Sequence, residues 1–180
     1  MGNPGSVGQD RSAGQRPVAA PASGVDDSLI VPTINERDNI ADLVQRLKTC
    51  LAGRSWEVIF VDDDSADGTA EVVRRISRRE PRVRCIQRIG RRGLSSACVE
   101  GMLASSAPYL AVMDADSRHD ETLLPIMLDT VMQEDLDVVV GGRYLAGGGI
   151  GGNPRRRRME LRGHHGLHMA ETERLYIGGG

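Results

Sequence analysis

Residues 56–76 read Trp56-Glu57-Val58-Ile59-Phe60-Val61-Asp62-Asp63-Asp64-Ser65-Ala66-Asp67-Gly68-Thr69-Ala70-Glu71-Val72-Val73-Arg74-Arg75-Ile76. The run Trp56–Val61 is short, apolar and rich in β-branched and aromatic residues, which predicts a buried strand. The segment from Thr69 to Ile76 predicts a helix, and the acidic stretch between them predicts a tight turn. Ser65, Asp67 and Thr69 are each suited to capping that helix. Capping uses one or two such side chains, whereas this turn carries Asp62, Asp63, Asp64 and a fourth carboxylate at Asp67. Two readings follow: a capping turn alone, or a turn in which one aspartate also accepts hydrogen bonds from a nucleoside.

The same strand–turn–helix unit repeats on both sides. Ser28–Pro32 predicts a first strand, and the apolar spacing of Ile40, Leu43, Val44, Leu47 and Leu51 predicts a helix over Asn39–Leu51 that Gly53 ends. Val83–Ile86 is a third strand, Leu94–Ala104 a third helix and Tyr109–Met113 a fourth strand. A helix over Glu121–Gln133 follows, with Pro125 in its first turn, where a missing N–H is tolerated. Val138–Val140 is a fifth strand. Strands alternating with helices predict an α/β fold, a mainly parallel sheet with helices on both faces. In such sheets ligands bind at the carboxyl ends of the strands. Four strand ends here carry polar groups: Asn35 and Glu36, Asp62–Asp64, Asp114 and Asp116, and Arg143.

Composition sets the remaining bounds. The 180 residues suit one such domain, preceded by a Gly/Pro/Ser/Ala-rich tail over residues 1–25 and followed by an atypical basic, Gly- and His-rich segment over residues 153–180. No core element is expected beyond about residue 145. A formal net charge of -2 gives no reason to expect a nucleic-acid partner. Cys50, Cys85 and Cys98 are odd in number, fit no metal motif and read as reduced thiols of a cytoplasmic protein. No stretch approaches the roughly 20 apolar residues of a membrane span. The N-terminus lacks the basic-then-apolar pattern of a signal peptide. Met1–Ser6 matches the short N-myristoylation pattern, and the same residues read as the start of a Gly/Ser/Pro leader.

Met113-Asp114-Ala115-Asp116 places two hard oxygen ligands at the end of an apolar strand, a pair suited to Mg²⁺ or Mn²⁺ bridging a diphosphate. Five segments then occur in one order at domain-scale spacing: Pro32-Thr33-Ile34-Asn35-Glu36-Arg37, the acidic turn Val61–Thr69, Arg92-Gly93-Leu94-Ser95-Ser96-Ala97, Met113–Asp116, and Gly142-Arg143-Tyr144. This set resembles the family 2 glycosyltransferases of the GT-A fold. Within them it is most similar to the dolichol- and polyprenyl-phosphate mannosyltransferases. The likeness runs from about Leu29 to Gly152, which places the domain at residues 26–152.

The resemblance implies a Rossmann-like nucleotide-sugar-binding domain that moves a sugar, mannose from GDP-mannose, onto a polyprenyl or dolichyl phosphate with inversion. It implies that Pro32, Ile34, Glu36, Val61 and Asp63 line the donor's nucleoside pocket. Asp114 and Ala115 would lie beside the ribose and diphosphate. Asp116, with Asp114, would hold the divalent ion. Arg143 would face the diphosphate and the incoming phosphate, and Arg157 the acceptor phosphate; Asp116 and Arg143 would be the catalytic pair. The implied chemistry is consistent with the residues. A cation and an arginine stabilise the charge that builds on a departing diphosphate. A phosphate monoester has its second pKa near about 6, so it attacks without a strong general base. The implied location is peripheral, at the cytoplasmic face of a membrane.

Several positions depart from the family pattern. Position 34 is Ile where the family usually has a Tyr to pack on the nucleotide, and position 118 is Arg where many members have a metal-binding Gln. Asn153 replaces an aromatic, and Leu161 stands where a Ser often follows the arginine. Arg155–Arg158 reads either as a solvated charged run or as a site for acidic lipid headgroups. His164, His165 and His168 read as an incidental cluster rather than a metal site. Two alternatives to the GDP-mannose reading stay open: a UDP-sugar-dependent member of the family, and a catalytically impaired paralogue or fragment that binds a partner.

Overall fold

The computed structural model describes residues 24–116, 120–134 and 136–141, and the strand backbone at 162–163 and 175–179. The expected tail, Arg118, Arg143, Asn153, Arg155–Arg158, Leu161 and the three histidines of 164–168 lie outside the described residues.

The elements follow the predicted alternation: β1 (Asp27–Thr33), α1 (Arg37–Cys50), β2 (Trp56–Asp62), α2 (Thr69–Ser77), β3 (Val83–Gln87), α3 (Leu94–Leu103), β4 (Tyr109–Val112), α4 (Leu124–Gln133) and β5 (Val138–Gly141). The helix expected from Glu121 instead opens with a 3₁₀ turn, Glu121–Leu123. Pro125 is the cause. It has no N–H to give the Glu121 carbonyl, which takes the Leu124 amide one residue earlier. Asp120 caps the turn, accepting from Thr122 N at 3.2 Å.

With β6 (Arg162–Gly163) and β7 (Leu175–Gly179), the strands form one sheet in the order β3-β2-β1-β4-β7-β5-β6. β1 pairs in parallel with β2 and β4, and β2 with β3. The expectation of no core element past about residue 145 is corrected here. β7 (Leu175–Gly179) runs antiparallel between β4 and β5, so β5 keeps the sense of β1–β4 without touching β4. β6 (Arg162–Gly163) pairs with β5 at the edge. Leu175-Tyr176-Ile177 followed by glycines has no period of its own, and pairing on both sides supplies what local preference does not.

Alternation along β1 and β2 divides the core. Leu29, Val31, Val58 and Phe60 face α1, α2 and α4 and form the larger cluster with Leu43, Leu47, Val73, Met127 and Leu128. Ile30, Ile59 and Val61 face the other way and are covered by α3 through Ala97. Helices thus lie on both faces, as expected, with α3 alone on the second among the described residues. Its approach is close because Gly101 sits at the crossing: a Cβ there would meet Ile30 Cγ2 at 2.4 Å and Val61 Cγ2 at 2.9 Å.

Gly101→Ala should therefore lower stability. The gain in helix propensity is at most about 1 kcal/mol, whereas forcing a methyl into a filled core costs about 1–3 kcal/mol. A thermal melt equal to or above that of the parent protein would show that Ile30 and Val61 can move aside.

Candidate functional site

The parallel strands β1, β2, β3 and β4 end side by side, and the polar residues expected at those ends meet there. Two loops interlock first. The Asn35 amide donates to Ser65 Oγ at 2.9 Å, and the Ala66 amide donates back to Asn35 Oδ1 at 3.2 Å. The Glu36 amide donates to Thr69 Oγ1 at 3.0 Å, and the Arg37 amide to Asp67 Oδ2 at 3.0 Å. The amides of the cap residue Glu36 and of Arg37, the first residue of α1, are thus satisfied by side chains of Thr69 and Asp67. Asn35 and Asp64 hold φ of 55° and 58°, the left-handed region that Asn and Asp enter most readily.

The four aspartates of the turn divide into distinct tasks. Asp62 is fully buried. It accepts from Ser65 Oγ at 2.5 Å and from Ser65 N at 3.1 Å, which closes the turn. Asp67 Oδ1 takes the first amide of α2, Thr69 N, at 3.0 Å, while Gly68 supplies the positive φ of 89° between them. Asp64 makes longer contacts, 3.4 Å from both Gln87 Nε2 and Gly90 N. Asp63 accepts from Arg88 Nη1 at 2.7 Å and from the Gly93 amide at 2.7 Å. The capping reading thus accounts for Asp62 and Asp67, and Asp63 already has two protein donors.

The remaining expected residues fall into two groups. Pro32 and Glu36 are half-buried and Ile34 is 45 % exposed at the rim, open to a flat ligand. Val61 and Ala115 are buried in the two core clusters, so their side chains face the core and not the rim. They can contribute to a site through backbone atoms only. Asp114 and Asp116 are half-buried on either side of Ala115. Cys98 on α3 is a half-buried free thiol. Burial first, then the carboxylates of Asp114 and Asp63, push its thiol up, and Arg88 opposes them. Cys98 therefore lies within electrostatic reach of all three. Burial also raises Cys85, and burial with the Glu121 carboxylate pushes Cys50 up to about 11, as inert reduced thiols require.

Among the described residues no three His, Cys, Asp or Glu side chains converge on one point. Mg²⁺ commonly takes one or two carboxylates and fills its shell with phosphate and water. Asp114 and Asp116, the pair expected to hold the ion, belong to no closed cage of three or more such side chains among the described residues.

Arg88 is the residue that reading the sequence missed. It stands first in the basic cluster Arg88–Arg92 and looks solvated, yet its side chain is 3 % exposed. The available signal was position: the residue directly after β3 enters the same rim as the acidic turn.

Burial works against ionisation of Asp67. The bonds from Thr69 Oγ1 and from the amides of Arg37 and Thr69 outweigh it, and its pKa lies below the ordinary 3.8. A lowered folded-state pKa stabilises above the unfolded value, and that contribution is lost as pH falls through the folded one. The stability gap between the parent protein and Asp67→Asn should be full at neutral pH and narrow below pH 3.8. Denaturant melts across that range check it; a gap unchanged down to about pH 3 would remove the charge from the account.

Comparison with known proteins places this geometry. The family model for glycosyl transferase family 2 matches residues 28–178. The dolichol-phosphate mannosyltransferase of Pyrococcus furiosus is 36% identical over 136 residues, which are 76% of this chain and 38% of that protein. The Saccharomyces cerevisiae protein of the same name is 36% identical over 129 residues, covering 70% of this chain and 48% of its own length. The chain thus spans less than half the length of these relatives. Among solved structures, the mannosyltransferase PcManGT of Pyrobaculum calidifontis, in complex with GDP-Man and Mn²⁺, matches with a TM-score of 0.55 at 21% identity. That match covers 67% of this chain and 38% of PcManGT. Glucosyl-3-phosphoglycerate synthase of Mycobacterium tuberculosis, with Mn²⁺ and UDP, matches with a TM-score of 0.53 at 18% identity, over 64% of this chain and 43% of its own. Both share the GT-A fold expected here, and with the family match across most of its length this chain belongs to glycosyl transferase family 2.

Proposed function

We propose that this chain forms the donor-binding part of an inverting mannosyltransferase that uses GDP-mannose and a polyprenyl phosphate. The observation that carries the reading is the convergence at one sheet edge of Asp63, Asp114, Asp116 and the exposed Ile34. The 36% identity to dolichol-phosphate mannosyltransferases supports the choice of sugar and acceptor.

In this reading Ile34 lies against the base, and Asp63 accepts hydrogen bonds from the nucleoside with the lone pairs its protein donors leave. Asp114 and Asp116 would hold Mg²⁺ or Mn²⁺. When bound, the ion neutralises charge on the diphosphate leaving group. The acceptor phosphate oxygen attacks the anomeric carbon as the bond to the diphosphate breaks, inverting that centre. Arg143 and Arg157 are assigned to the diphosphate and acceptor phosphate from sequence alone. Among the described residues no helix is long and apolar enough to cross a membrane. Contact with the membrane's cytoplasmic face is part of the proposal, motivated by the lipid acceptor and the Arg155–Arg158 run.

Titration of GDP and UDP, with and without Mn²⁺, tests the reading. GDP should bind more tightly than UDP, Mn²⁺ should strengthen it, and Asp114→Asn with Asp116→Asn should abolish the Mn²⁺ effect. Tighter UDP binding would favour a UDP-sugar donor, as in the UDP-bound synthase. Nucleotide binding without labelled-mannose transfer to a polyprenyl phosphate would favour the impaired-fragment alternative.

Ile34→Tyr gives a second measure. Base–aromatic stacking contributes roughly 1–3 kcal/mol, so the ring should tighten GDP binding by several-fold or more. Unchanged affinity would move position 34 away from the base.

A further inference from the structure

The buried guanidinium of Arg88 has no part in the chemistry described so far, yet it holds a residue that does. We propose that Arg88 is a positioning residue for the donor site, acting through Asp63. The inference rests on the reading of Asp63 as a nucleoside ligand.

The geometry supports it from both ends. Asp63 Oδ1 takes Arg88 Nη1 at 2.7 Å and Oδ2 takes the Gly93 amide at 2.7 Å, so both oxygens are fixed from the protein side. An ionised carboxylate offers about four acceptor positions. Two are used here, and the rest can face a ligand in one set orientation. Arg88 is itself held. Nη2 donates to Ser96 Oγ at 2.6 Å, Nη1 also donates to the Gly93 carbonyl at 3.1 Å, and Nε lies 3.2 Å from Glu100 Oε2. Glu100 is gripped in turn by Arg91, with both contacts at 2.9 Å. Charges therefore alternate from exposed Arg91 through Glu100 and Arg88 to Asp63.

Gly93 closes the arrangement by using both its amide and its carbonyl. Its φ of 138° is one that L side chains rarely adopt. An added Cβ would stand 3.2 Å from Ser96 Oγ, the atom that receives Arg88. Only a planar fork reaches Asp63, Gly93 and Ser96 at once; an ammonium is a single point of charge. The turn that starts α3 and the Asp63 carboxylate just past β2 are thus set by one side chain.

The test is a double-mutant cycle read by GDP titration in the presence of Mn²⁺, on the full chain. Arg88→Gln should weaken GDP binding by about tenfold or more, a change equivalent to about 1.4 kcal/mol. Arg88→Lys, which keeps the charge, should recover part of the loss. In an Asp63→Ala background, Arg88→Gln should change the affinity by less than about twofold, because residues acting as one unit are not additive. If Arg88→Gln fails to fold, the same cycle with Arg88→Lys decides. An equal loss with and without the Asp63 carboxylate would overturn the proposal and leave Arg88 a fold-supporting residue. Absence of GDP and UDP binding by the parent protein would instead overturn the donor-site reading, and the two failures are told apart by that single measurement.

Discussion

A carboxylate buried at the carboxyl end of a central strand needs a counter-charge, and that constraint on Asp63 organises the rim. Leaving one member of a buried ion pair alone costs about 3–5 kcal/mol. Arg88 supplies the charge from the end of β3, and its amide continues the ladder by donating to the Asp62 carbonyl at 2.8 Å. The demand of one side chain thus fixes the position of a neighbouring strand end, and through Gly93 the start of a helix on the opposite face from α1 and α2.

Much of the acidic turn is scaffold. Asp62 and Asp67 satisfy amides of the turn and of the two helices beside it, and with Ser65 and Thr69 they bind the first loop to the second. In the proposed reading, the groups that would meet a ligand are the outer positions of Asp63, the exposed face of Ile34 and the carboxylates of Asp114 and Asp116 beyond β4. Loops tied to each other in this way would need less ordering on binding a ligand than loops without such bonds.

The order of elements was legible because each carries its own period. The apolar positions of α1 at Ile40, Leu43, Val44 and Leu47 face the core as their spacing indicates. The convergence of strand ends was also legible, since parallel crossovers bring them to one edge. Division of labour among the aspartates was not. Adjacent carboxylates look alike in sequence, and it takes their contacts, Ser65 for Asp62 and Arg88 with Gly93 for Asp63, to separate them. Val61 and Ala115 carried donor-site expectations from the family likeness, yet their side chains belong to the core, because motif membership does not say which atoms face a ligand. β7 was illegible for a different reason: its place depends on partners far away in the chain.

That last strand has a consequence for how the sheet comes together. β3, β2, β1 and β4 are contiguous in sequence and can assemble as soon as they emerge from the ribosome. β5 follows directly, but its partners β6 and β7 are made later. Until they arrive, β4 keeps an open edge and β5 has no ladder to join. Exposed edges of this kind recruit strands from other chains. Pairings between distant segments are also slow to form. Closing the sheet therefore waits on β7, which covers the open edge of β4 and gives β5 its ladder.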